Sequence, residues 1–291
     1  MKKALTYSVR EVAPYINWIY FFHAWGMGPR FATITDVHDC PSCRAGWIAS
    51  FATEEQAKAR EAVTLYNEAV QLLHRWADEP ICKALFLLDD ANSEGDDIII
   101  GNHTRLPLLR QQKANKEGYT LCLSDFIRPV SSGISDTIGV FATTVHTIQA
   151  ENTLLTSTLA DRLAEATAEK VHEEIRKHYW GYAKDEQLTI HELHNEAFQG
   201  IRPAVGYPSL PDQSVNFIID GLLHLSAIGI TLSKNGAMSP HCSVSGLMFA
   251  HPKAHYFSVG NVSEEQLIDY AHRRGIDTEQ TKKFLSAIMH D

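Results

Sequence analysis

The sequence predicts an α+β fold: one unit spanning residues 1–291, built on an antiparallel or mixed sheet with helices on either side. Three observations predict it. Short β-branched or aromatic runs cluster between 84 and 145 and return between 243 and 260. Long stretches with a helical repeat flank them, and strands and helices do not alternate regularly as βαβ units would require. The composition agrees, because 291 residues with 44% hydrophobic and 21% charged residues can bury a sizeable core.

The elements follow in chain order. Residues 7–27 open polar and become aromatic-rich, as for a buried wall or one side of a site. Residues 28–53 hold Gly, Pro and two close cysteines with little periodicity, and read as an insertion or long loop extending over about 28–60. In "EEQAKAREAVTLYNEAVQLLHRW" (54–76), Ala62, Tyr66, Ala69, Val70 and Leu73 recur with helical spacing. Strands are predicted at 84–90, 96–100, 119–126 and 136–145, with a short basic helix after Pro107 between the second and third. Residues 151–180 carry Leu159, Leu163, Val171, Ile175 and Tyr179 on a four-residue step, which predicts a long amphipathic helix. A second helical stretch ends near Gly200, and a further helix covers 215–230. Strands are expected at 243–251 and 254–260. Ser263 with Gln266 makes a capping box for a helix ending near Gly275, and Asp277 with Gln280 starts the last one.

Charge excludes some functions. With 26 basic and 35 acidic residues the net charge is −9, which argues against a nucleic-acid or anionic-membrane binder. No apolar run is long enough to span a bilayer, and Arg10 and Glu11 break any signal core after Lys2 and Lys3, so a cytoplasmic location is expected. Five scattered cysteines do not form a secreted disulfide framework. Only Cys40 and Cys43 are close. With His38 they form an H-x-C-x-x-C arrangement that offers part of a zinc site, for which Cys82, Cys122 and the many histidines are further candidates. A reduced thiol pair in a surface excursion is the expected state. P-loop, dinucleotide-fold and zinc-protease motifs are missing, and "DVHDCP" has Pro41 where the cobalt-ligating D-x-H-x-x-G segment needs glycine, so the chain is not expected to bind a corrinoid alone.

The informative stretch is "RPAVGYPSLP" (202–211). Its prolines and glycine exclude a helix interior or a central strand, leaving a stiff, shaped loop that holds Arg202 and Tyr207. Glu196 lies just before it. A guanidinium fork matches a ligand carboxylate, a glutamate can face a ligand cation, and backbone at Ala204 and Gly206 can approach a ligand closely. A zwitterionic amino-acid ligand satisfies that set. Pairing of Glu196 with Arg202 is the alternative.

The same loop, with "LADRLAEATAEKVHEEIRKHYWGYA" (159–183), "SVSGLMFAHPKAHYFSVG" and "YINWIYFF", resembles the C-terminal activation domain of cobalamin-dependent methionine synthase, which binds S-adenosylmethionine. The resemblance runs from about Tyr7 to the C-terminus, interrupted around 28–60. It implies a C-shaped α+β unit around a twisted antiparallel sheet. Its implied task is reactivation of cob(II)alamin with an electron from flavodoxin or a similar reductant and a methyl group from S-adenosylmethionine. By resemblance, Arg202 holds the ligand carboxylate, the Ala204 backbone contacts the ligand, and Gly206 permits the turn before it. Tyr207 stands where ligand meets corrin and is the candidate catalytic residue. Glu196, Glu165 and Tyr256 match groove-lining positions. A solvated helix face for Glu165 and an ordinary strand aromatic for Tyr256 are the alternatives. On this reading Arg202→Ala abolishes ligand binding with little loss of stability.

Two departures qualify the resemblance. The family reads Y-I-D-W where this chain has Tyr15, Ile16, Asn17 and Trp18, so a charge-assisted contact becomes neutral and affinity should fall by about 1–2 kcal/mol. The homocysteine, folate and cobalamin modules have no room in 291 residues, so a detached reactivation subunit acting in trans on a cobalamin-carrying methionine synthase partner is expected. A non-catalytic ligand sensor or corrinoid-protein chaperone is the second hypothesis. A metal or redox site at His38, Cys40 and Cys43 is the third.

Overall fold

The computed structural model describes residues 1–101, 103–114, 116, 118–146, 153–286 and 288–289. Strand β1 (Lys2–Tyr7) is followed by helices α1 (Val9–Val12), α2 (Trp18–Ala24), α3 (Pro41–Ala49) and α4 (Gln56–Arg75). Strands β2 (Cys82–Glu94), β3 (Asp97–Ile100), β4 (Thr104–Pro107) and β5 (Asp136–Val145) come next. Then follow α5 (Leu154–Glu174), α6 (Ile190–His194) and α7 (Val215–Leu223). A two-residue hairpin of β6 (Thr231–Leu232) and β7 (Met238–Ser239), strand β8 (Ser243–Met248), α8 (Glu264–Arg274) and α9 (Thr278–Phe284) complete the chain. The α+β class with an antiparallel sheet is as expected. No helix of the described residues is long and apolar enough to cross a membrane.

The main sheet runs β4-β3-β2-β5-β8, with β1 also on β2, and every pairing is antiparallel. Strand β5 lies inside the sheet between β2 and β8, and its residues 138–145 are buried throughout. Its residues alternate between two cores, as a pleated strand requires: Phe141 and Val145 face one, Ile138, Val140 and Ala142 the other. The first core is covered by α4 and α5. On α5 the buried Ala160, Ala164 and Ala168 keep the helix close to the sheet, and Thr143 Oγ1 donates to the Ala164 carbonyl at 3.0 Å. Leu159, Leu163, Val171 and Ile175 are buried as their spacing predicts, while residues 151–152 of the predicted helix lie outside the described residues. The α-helix passes into a π turn at Ile175–Tyr179.

Several expectations are corrected. Residues 119–126 form no ladder strand. Cys122 makes one isolated bridge to Arg110, and Leu123–Phe126 is a 3-10 turn closed by the Asp125 carboxylate, which accepts from the Cys122 amide at 2.8 Å. The segment after Pro107 is extended, not helical, because Leu108 and Leu109 enter two different cores and so follow a two-residue period. Residues 254–260 join no strand. The helix from 215 stops at His224, which has φ 57°, and Asp220 accepts the Leu225 amide beyond it at 2.8 Å. Strand β1 had no reading in the sequence. The excursion at 28–53 is largely helical, with a 3-10 stretch at Pro29–Asp36 before α3. Stacked Phe31 and Phe51, 5.0 Å apart, pin it, with Trp47 4.7 Å from Phe51. Cys40 and Cys43 form a disulfide, in place of the expected free thiols.

Candidate functional site

The loop after Gly200 lies along the free edge of β8 as an irregular extra strand. Ile201 and Phe249 exchange backbone hydrogen bonds of 3.0 and 2.9 Å, Leu247 N–H donates to Pro203 O at 3.0 Å, and Val205 N–H donates to Ser245 O at 2.9 Å. Such close approach requires Gly246, where a Cβ would lie 2.2 Å from the Pro203 oxygen. Strand-like alternation then sends Ile201 and Val205 to one core and leaves Ala204 in the other, under α5. Arg202 goes the same way as Ala204, with its guanidinium carbon 5.6 Å from the Phe141 ring centre. At Gly206, φ is 90° and the chain turns, so that Tyr207 leaves the edge of the sheet.

On the other wall, α5 presents Arg162, Glu165 and Glu169, spaced three and four apart and therefore on one helix face. Arg202 forms an ion pair with Glu169, and the Tyr207 hydroxyl donates to Glu165 Oε1 at 3.0 Å. The Tyr256 hydroxyl accepts from the Arg202 backbone N–H at 2.9 Å, so a side chain from 250–260 fastens the loop. Asn17 caps α2, with its Oδ1 accepting from Ile19 N–H at 3.1 Å. Tyr15, two residues earlier, donates its hydroxyl to Glu173 at 2.7 Å, and its carbonyl accepts from His194 Nε2 at 3.0 Å. These two bonds tie the N-terminal segment to α5 and α6.

Together these walls enclose a cavity of about 580 Å³, within the size range of small-molecule sites. Of the residues singled out in the sequence, Arg202, Ala204, Tyr207, Glu196, Glu165, Tyr256 and Asn17 all line it. Gly206 does not, and serves the turn. The Glu196–Arg202 pair weighed as an alternative does not form. Glu169 takes the guanidinium, and Glu196, at φ 56°, makes no ion pair among the described residues. Glu169 was missed as an individual site, although its place one helical turn beyond Glu165 in "RLAEATAE" was the signal that could have found it.

The electrostatics of the cavity follow from burial and from the charges that face one another across it. Burial opposes the Arg202 charge, but Glu169, Tyr256 and Glu165 more than offset it and hold the guanidinium protonated. Burial, then the charge of Glu169, push Glu196 above the ordinary carboxyl range, while Arg202 pulls it back. Burial and Glu165 push the Tyr207 phenol up to about 12, so at neutral pH it is a hydrogen-bond donor. Below the loop, burial followed by the charges of Arg176 and Arg202 keep His172 neutral. Among the described residues, two buried atoms of the Arg202–Glu169 pair, Arg202 Nε and Glu169 Oε2, meet no hydrogen-bond partner, and the same holds for Arg162 Nε. Buried polar atoms are normally satisfied, and all three of these belong to residues that line the cavity. The pairing of Arg202 also revises its expected mutational behaviour: its loss would strand Glu169 and so cost stability as well as binding.

The family described as vitamin B12 dependent methionine synthase, activation domain, matches residues 8–275. Among solved structures, the crystal structure of the MetH reactivation domain bound to AdoHcy is similar to this chain at 32% identity and a TM-score of 0.85. The match covers 100% of this chain and 91% of that one.

Proposed function

The chain belongs to the family of vitamin B12-dependent methionine synthase activation domains, and from that premise we propose that its cavity binds S-adenosylmethionine and presents the methyl group to a cobalamin carried by a separate methionine synthase partner. The observation that carries the proposal is the buried Arg202, its Nε without a hydrogen-bond partner among the described residues, set among carboxylates in the cavity beside an exposed tyrosine.

Charge supports the choice of ligand. The lining holds three carboxylates, Glu165, Glu169 and Glu196, against two guanidinium groups, Arg162 and Arg202. An excess of one negative charge suits a ligand with an ammonium, a sulfonium and one carboxylate, which is S-adenosylmethionine. Arg202 takes the carboxylate, its planar fork fitting two oxygens. Glu196 makes no ion pair among the described residues and faces the ligand's positive groups, supplying the charge that Asn17 lacks. Backbone at Ala204 borders the ligand, and Tyr256 holds the loop in register. Tyr207, exposed at the rim and steadied by Glu165, stands between the bound ligand and whatever docks on it. Cobalamin, when its carrier is docked, supplies the cobalt nucleophile that accepts the methyl group after an electron from a flavodoxin-like donor. This chain contributes position and the exclusion of water.

A second reading, a binding module without methyl transfer, draws on Asn17, which is neutral and occupied in capping α2. Calorimetric titration with S-adenosylmethionine tests the shared premise. Saturable heat is expected, with Kd weakened roughly 10- to 150-fold in Arg202→Ala; no heat up to millimolar ligand would overturn the proposal.

A further inference from the structure

We propose that His38, Cys40 and Cys43, once the two cysteines are reduced, form a binding site for a divalent zinc-type cation. None of the three lines the cavity described above. The first support is convergence: the ligand atoms of the three residues all lie within 4.8 Å of one another. A tetrahedral zinc with bonds of about 2.3 Å to sulfur and about 2.0 Å to nitrogen sets its donors roughly 3.5–3.8 Å apart, so a small adjustment completes the site.

The local backbone produces this convergence. Pro41 opens α3 and Cys40 is its N-cap, with φ −126° and ψ 146°, which brings Cys43 in the first turn onto the same side. The Cα atoms of the two cysteines are 5.2 Å apart. His38 is turned back onto them, its carbonyl accepting from Cys40 N–H at 2.7 Å. Polar groups surround the Cys40 sulfur. Cys43 N–H donates to Cys40 Sγ at 3.0 Å, and the Ser42 hydroxyl lies 3.2 Å from the same atom, at the positive end of a nine-residue helix. Arg44, the nearest cation in sequence, is held by Asp39 and Asn67.

The usual reason for a structural cysteine does not apply here. Cys82, Cys122 and Cys242 are buried and pack as small apolar side chains. Helix α3 has no buried residue, and His38 is exposed. A disulfide alone would need no imidazole, whereas a metal would use it as third ligand. Among the described residues no fourth donor joins the group, which leaves one coordination place for water or an external ligand. The aromatic clasp of Phe31, Trp47 and Phe51 supplies a fixed platform beneath.

The disulfide must first be opened. A phosphine does this by taking oxygen from water to become the phosphine oxide, its two electrons and the two water protons giving two thiols; metal binding then displaces the thiol protons. The test is anaerobic titration of the phosphine-reduced full chain with cobalt(II), followed by zinc. One equivalent should produce intense thiolate-to-cobalt absorption with the visible bands of a tetrahedral ion, and zinc should abolish both. Cys40→Ser and Cys43→Ser should lose the signal, and His38→Ala should lower affinity by at least the ~10–100-fold that loss of an outer partner costs. Native circular dichroism in each variant shows that it has folded. Reduced, folded protein without thiolate–cobalt absorption would overturn the proposal and leave a simple disulfide. So would absorption that persists in Cys40→Ser.

Discussion

Replacing Arg202 by alanine should damage stability and ligand binding through separable causes. The side chain is 8% exposed and pairs with Glu169, whose own side chain is 20% exposed. Its removal leaves that carboxylate in a cavity already holding Glu165 and Glu196. Breaking a fully buried pair from one side costs about 3–5 kcal/mol; the partial exposure of Glu169 reduces this to about 2–3 kcal/mol. Binding loses, in addition, a charge-assisted hydrogen bond worth about 1.5–3 kcal/mol, or roughly 10- to 150-fold in Kd. Adding Glu169→Gln to Arg202→Ala removes the stranded charge, so the double variant should recover much of the stability and none of the affinity. Denaturant unfolding reads the first quantity and calorimetric titration with S-adenosylmethionine the second. A double variant that binds within about threefold of the native chain would refute the role given to Arg202. A single variant as stable as the native chain would refute the pair's contribution.

Three further outcomes are expected. Asn17→Asp keeps the α2 cap, since aspartate caps as well as asparagine, and adds a charge facing a cationic ligand. Affinity should rise by about 0.5–1.5 kcal/mol, and an unchanged Kd would show that position 17 does not meet the ligand. Burial and Glu169 raise the Glu196 carboxyl above its ordinary range, so ionisation is harder in the folded state. Affinity for S-adenosylmethionine should therefore increase as pH rises through that raised value, while the native state loses a little stability over the same interval; titrations across the acidic range should show a slope that Glu196→Gln flattens. Gly246→Ala would force a Cβ to within 2.2 Å of Pro203 O and push the loop off β8. A destabilisation of about 2–3 kcal/mol is expected, with weaker binding, whereas a native-like unfolding midpoint would contradict the packing described.

The sequence was most legible where one signal acted alone. The helical repeat at 54–76 lies within two residues of α4 at either end, and the run at 136–145 coincides with β5. It was least legible where side chains and tertiary contacts redirect the backbone. Leucines 108 and 109 look helical beside Arg110 and Gln111, yet they serve two cores, and Arg110 is spent on Asp96 and Asp125. The aromatics of 254–260 resemble a strand, but Tyr256 and Phe257 are used on the cavity wall and find no ladder. For the site, the stiff loop around Arg202 could be read from its prolines and glycine. The partner of Arg202 could not, because Glu165 and Glu169 occupy equivalent positions on one helix face and only the crossing of loop and helix decides between them.

The most direct measurement of the central claim is methyl transfer in trans: this chain, a cobalamin-loaded methionine synthase partner held in reductant, and S-adenosylmethionine, followed by the absorption of methylated cobalamin. The account predicts methylation that requires the chain and is lost with Arg202→Ala. Methylation at the same rate without the chain, or none with a chain that binds S-adenosylmethionine by calorimetry, would contradict it.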